Sequence, residues 1–155
     1  MSAVRSFLLA IEMATRKRDQ ANQDLMRVQN AHVFAQNQMA QLETYAGETE
    51  SRWTAAAQVS TSPELMRHHY QFMDRLHHAI GLQNGALENE VRKVVAAKKL
   101  VMEAEFRLIS LKQVLKKKQA DISVLQSRRE QKQMDEFAAL RGGQSTGGYF
   151  SGERP

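Results

Sequence analysis

The chain runs to 155 residues, with 22 Lys and Arg against 17 Asp and Glu for a net charge of +5, and it contains no Cys. That size sets a single domain as the starting expectation, and the missing thiols exclude disulfides, thiolate metal sites and cysteine nucleophiles, which leaves packing to supply stability and makes the reducing cytosol the expected compartment. The longest apolar run near the start, Phe7 to Ile11, stops at Glu12; it is too short for a membrane span or a secretory signal core, so a soluble chain without membrane insertion is expected.

Only two prolines occur, Pro63 and Pro155, and 42% of the chain is hydrophobic while only 6% is aromatic. Such a composition favours helices with a narrow apolar seam over a wide core, so an elongated all-α molecule is expected. Residues 4–57 hold no proline and a single glycine, Gly47, and predict a first long helix. Residues 58–63 read Gln-Val-Ser-Thr-Ser-Pro and predict a turn. A second helix follows over about 64–140, with Gly81 and Gly85 as its only glycines. Its start is marked by Thr61 and Glu64 at capping-box spacing and by Pro63 in the first turn. From Gly142 the chain carries five glycines in fourteen residues without an apolar period, which predicts a disordered tail over 142–155 after one hairpin domain spanning 1–141.

Both helices repeat apolar residues every 3.5 positions. The first carries one row of Val4, Ile11, Arg18, Leu25, His32, Met39, Ala46 and Trp53, and another of Phe7, Ala14, Ala21, Val28, Ala35, Leu42, Thr49 and Ala56; thirteen of these sixteen are apolar. The second carries Met66, Met73, Ile80, Leu87, Val94, Val101, Leu108, Leu115 and Ile122, flanked by Leu76, Ala97, Ala104, Leu111 and Leu125. This is a sustained coiled-coil pattern. In an antiparallel hairpin the numbers of facing residues add to a constant, and a sum of 122 sets Ala14 against Leu108, Ala21 against Val101, Leu25 against Ala97, Ala35 against Leu87 and Ala46 against Leu76. Small side chains then meet large ones, as close packing requires. The same register sets His32 against Glu90 as a polar layer and centres the hairpin on Thr61. A dimer of hairpins satisfies the same seam, which leaves the oligomeric state open.

At this register Val4 meets Lys118, and the second helix continues uncovered beyond about residue 120. Residues 121–140 then project alone for roughly 30 Å. An isolated helix of that length is marginal in water, which points to a protein partner. The charge excess also sits late: residues 116–155 hold Lys116, Lys117, Lys118, Arg128, Arg129, Lys132, Arg141 and Arg154 against five acidic residues, and such a basic end favours an acidic partner surface.

His68, His69, His77 and His78 lack the i, i+4 spacing that would let two imidazoles share an ion on one helical face, so neither a metal nor a cofactor is expected. A two-helix hairpin offers no pocket to desolvate a catalytic group, and no glycine-rich phosphate loop is present; no enzyme is expected. The sequence pI is about 9.7, but basic residues are interleaved with acidic ones and lack stacking aromatics, which argues against a nucleic-acid binder. Near the turn, Gln38, Leu42 and Tyr45 of the first helix lie opposite Phe72, Leu76 and Ala79 of the second. Leu42 and Leu76 read as seam, whereas Tyr45 and Phe72 flank it and suggest a docking face.

The stretch Gln-Lys-Gln-Met-Asp-Glu-Phe-Ala at 131–138, above all Met134-Asp135-Glu136-Phe137-Ala138, and Tyr-Gln-Phe at 70–72 resemble the FliJ family of flagellar type III export proteins, over about residues 1–140. The resemblance implies a cytoplasmic antiparallel coiled coil similar to the central stalk of rotary ATPases. It also implies that the open helix end enters the ring of the export ATPase FliI and promotes ring assembly or activity. On that picture the basic groups Lys117, Lys118, Arg128 and Arg129 are expected to meet acidic loops of the ring, with Met134 and Phe137 as apolar contacts near the helix end. The family contacts the export gate protein FlhA near the turn, and the matching positions are Gln38, Leu42, Tyr45, Phe72, Leu76 and Ala79. FliH and export chaperones complete the implied partners, at the cytoplasmic face of the export apparatus. This chain departs at Thr49, where relatives carry an aromatic, at Gln83, where they carry a histidine, and in its glycine-rich tail. The competing readings are a generic coiled-coil scaffold that dimerises through the same seam and a basic nucleic-acid-binding hairpin.

Overall fold

Ser62 stands at the reversal of the chain. Its Oγ accepts a hydrogen bond from the backbone N–H of Leu65 at 3.3 Å, and its carbonyl accepts from the N–H of Met66 at 3.0 Å. Ser62 is therefore the N-cap of the second helix, with Pro63 in the first helical position, where its fixed φ suits the helix and its missing donor costs nothing. This corrects the expected capping box: with Pro63 first in the helix, the cap falls on the residue before it, and Thr61 lies one position too early. Glu64 instead places a negative charge in the first turn, where the helix dipole favours it.

The computed structural model describes residues 2–149, with side chains described to 143. It holds two long helices packed against each other, α1 at Ser2–Val59 and α2 at Pro63–Tyr149, with no strand among the described residues. By its contacts the chain divides into two units, Ala14–Arg107 and Met1–Met13 with Leu108–Pro155.

The Ala14–Arg107 unit is the hairpin proper. Its buried residues are Ala14, Ala35, Met39 and Ala46 on α1 and His69, Met73, Leu76, Ala97, Val101 and Ala104 on α2. Ala46, Met73 and Leu76 form one cluster, with Leu42 and Ile80 packed against it, so alanine on one helix accommodates the larger side chains of the other. Burial along α1 follows the two expected rows except at Ala56, which is exposed while Ala57 is half-buried, and at Ala10, Thr15 and Asp24, which are half-buried beside the rows. Among the described residues no large side chain is fully buried, as a seam between two helices dictates.

Polar groups in the seam differ from expectation. His32 and Glu90 are each half-buried, but Glu90 pairs along its own helix with Lys93 Nζ at 3.6 Å, an i, i+3 contact that needs no reach across the seam. Gln83 supplies two cross-seam hydrogen bonds: its Nε2 donates to the carbonyl of Ala35 at 3.0 Å and to Gln38 Oε1 at 3.4 Å. Met66, counted among the apolar row, is exposed.

In the other unit, Leu108 and Leu115 are buried, and Lys118 Nζ sits over the ring of Phe7, 4.8 Å from its centroid. Every described residue from 116 to 143 is exposed. Ile122 and Leu125 share this exposure, so the apolar period outlasts the burial that it serves further up the helix. The bounds of α2 also pass the expected end near 141 and take in residues 142–149. Gly142 and Gly143 each disfavour a helix by only about 1 kcal/mol against Ala, and no proline intervenes before Pro155. The remainder of the expected disordered tail, 150–155, lies outside the described residues.

Candidate functional site

Two surfaces stand out, one in each unit. The first lies on the hairpin near the turn. Tyr45 of α1 and Phe72 of α2 meet edge to face, with ring centroids 6.1 Å apart and planes at 81°, the arrangement that aromatic quadrupoles favour. Tyr45 is 49% exposed and Phe72 38%, so both rings touch each other and remain partly open to solvent. Beneath them, Leu76 is buried and Leu42 packs on the Ala46–Met73–Leu76 cluster. Ala79 is half-buried and Gln38 exposed. Gln38, Gln41, Leu42, Tyr45 and Gln83 line a shallow groove. The six residues singled out from the sequence thus divide by role: Leu42 and Leu76 hold the helices together, while Tyr45, Phe72 and Gln38 present side chains to solvent.

One step closer to the turn is a cluster that sequence reasoning missed. His69 is 8% exposed, its ring stacks on Trp53 with centroids 4.4 Å apart and planes 8° from parallel, and its Nε2 lies 3.3 Å from Glu50 Oε2. The signal was present, because His69 stands seven residues before Leu76 and therefore in the same seam row. Gln83 stands seven residues after Leu76, in that same row. Counting only apolar residues passed over both.

The second surface is the exposed part of α2. Glu130, Gln133, Met134, Phe137, Ala138 and Arg141 line a shallow concavity along it, and the Arg141 guanidinium lies 5.2 Å from the Phe137 ring centroid. Met134 is 72% exposed and Phe137 60%. Lys117, Lys118, Arg128 and Arg129 are exposed on the same stretch, with Lys118 held against Phe7. Large apolar groups and guanidinium or ammonium groups are thus displayed on one helix with no covering layer, which suits a protein partner that is apolar and acidic by turns.

Among the described residues, no group of three or more His, Asp or Glu is placed to hold a metal ion, and no helix is long and apolar enough to cross a membrane. The model of one protein family, described as flagellar FliJ protein, matches residues 6–147. Comparisons with curated proteins and with solved structures each found no match.

Proposed function

This chain belongs to the flagellar FliJ protein family and is a component of flagellar protein export, and from that premise we propose that it joins the export ATPase FliI to the export gate protein FlhA. The far stretch of α2, about residues 121–140, docks in the ATPase ring as a stalk and promotes its assembly or activity. Met134 and Phe137 supply apolar contact, and Lys117, Lys118, Arg128 and Arg129 meet acidic groups of the ring. The turn-proximal face, with Gln38, Leu42, Tyr45, Phe72, Leu76 and Ala79, engages the gate at the cytoplasmic face of the export apparatus. FliH and export chaperones are further partners on this reading.

The observation that supports it most is the end of burial at Leu115, followed by a helix exposed from 116 to 143 that nonetheless carries Val124, Leu125, Met134, Phe137 and Leu140 on its surface. A helix this apolar gains little by standing alone in water, whereas covering one such side chain is worth about 1.5–3 kcal/mol. The gate assignment draws support from the Tyr45 and Phe72 pair, two partly exposed aromatics in edge-to-face contact, since aromatic side chains are favoured anchors of protein interfaces.

The test is ATP hydrolysis by the cognate export ATPase alone, with the full chain, and with a chain ending at residue 120. Stimulation by the full chain and none by the shortened one is expected. Equal stimulation by both would remove the far stretch from the contact, and no stimulation by either, with both folded, would favour a scaffold that dimerises through its seam.

A further inference from the structure

The aromatic pair near the turn does not mark the edge of its face. Phe34, Gln38, Gln41 and Tyr45 follow one another at spacings of four, three and four residues on α1, which sets them on one helical face. On α2, Leu82 follows Ala79 by three residues and Phe72 by ten, at the outer side of the same face. Phe34 is 64% exposed and Leu82 65%, more than either member of the aromatic pair. We infer that the turn-proximal docking surface extends away from the turn to Phe34 and Leu82, and that its occupant is an apolar, uncharged protein surface.

The inference deepens the gate reading and rests on it. Its first support is continuity, because Phe34 prolongs the line of Gln38, Gln41 and Tyr45, which already border the groove. Its second is charge. The groove is lined by Gln38, Gln41, Leu42, Tyr45 and Gln83, three neutral amides and two largely apolar groups. Gln83 Nε2 donates to Ala35 and Gln38, and none of the five lining residues carries a formal charge. At the turn-side end of the face, away from the groove, Glu48 is bridged to Arg52 at 3.9 Å, and Arg75 is exposed between Phe72 and Ala79. A charged partner group brought over this groove would lose water without gaining a counter-charge from its lining, whereas an apolar partner spanning the extended face buries three aromatics and a leucine. This is the opposite chemistry to the basic stretch of α2 from Lys116 onward.

The experiment measures binding of the purified export gate protein to the full chain and to its Phe34→Ala, Leu82→Ala and Phe72→Ala variants, at about 50 and about 200 mM salt. Far-UV circular dichroism of each variant confirms unchanged helix content, which the exposure of Phe34 and Leu82 leads one to expect. Phe34→Ala is expected to weaken binding about tenfold, as removal of an interface aromatic anchor does, and Leu82→Ala several-fold. Between the two salt levels the affinity should change less than about threefold. Loss of binding with Phe72→Ala but not with Phe34→Ala or Leu82→Ala would overturn the extension and leave the gate reading standing. Unchanged binding with all three would overturn the gate reading itself. A steep fall in affinity with salt would overturn the uncharged occupant.

Discussion

Trp53 and His69 stack across the hairpin with their ring centroids 4.4 Å apart and their planes within 8° of parallel. His69 is also 3.3 Å from Glu50, whose side chain is 56% exposed. A pair with one partner so open to solvent contributes no more than about 1 kcal/mol, whereas losing a buried ring forfeits its burial and its stacking together. Packing therefore dominates this cluster. His69→Ala should lower the unfolding free energy by about 2 kcal/mol and Glu50→Gln by about 0.5 kcal/mol, measured by urea denaturation. Because the sequence has one Trp, its emission should shift to the red in His69→Ala and stay in place in Glu50→Gln.

The cap at the start of α2 falls on Ser62 and not on Thr61, the residue that the capping-box spacing singled out. Ser62→Ala removes the acceptor for the Leu65 N–H and should cost about 1 kcal/mol, while Thr61→Ala should change stability by less than about 0.3 kcal/mol. Equal costs in a thermal melt would mean that the cap is shared.

Glycines 47, 81 and 85 lie inside helices, and a Cβ built on any of them meets nothing within 4 Å. None has a positive φ. Each Gly→Ala change should therefore stabilise the chain by about 0.5–1 kcal/mol by narrowing the unfolded ensemble and raising helix propensity. A loss of stability on urea titration would point to bending at that position.

The register is open to a direct chemical check, since the chain has no thiol of its own. Ala46 and Leu76 belong to one buried cluster, so Ala46→Cys with Leu76→Cys should crosslink within one molecule under mild oxidation, at the Cα separations that disulfides require. Ala46→Cys with Leu82→Cys, whose second site is 65% exposed, should not. Crosslinked dimers in place of crosslinked monomers on a denaturing gel would indicate a seam formed between chains.

The docking residues were legible to different depths. Tyr45 and Phe72 could be found because they flank the apolar rows, and helical spacing alone sets such flanking positions on the surface. Their edge-to-face contact could not be found, because it depends on side-chain rotamers chosen across two helices. His32 and Glu90 failed as a polar layer for a related reason: the register brings them to the same level, but Lys93, three residues along the same helix, offers Glu90 a nearer partner.

What the sequence determined by itself was the architecture: two helices, the reversal at residues 58–63, the seam rows and the helix left bare beyond them. Those features follow from local periodicity and local breakers, which act over a few residues and survive without knowledge of what lies opposite. Only the tertiary structure decided which polar groups the seam would accept. It buries His69 against Trp53, donates the Gln83 amide to Ala35 and leaves Ile122 and Leu125 in water. Each of those outcomes depends on the residue across the seam, or on the lack of one, and that partner is set by the register of two chain segments dozens of residues apart.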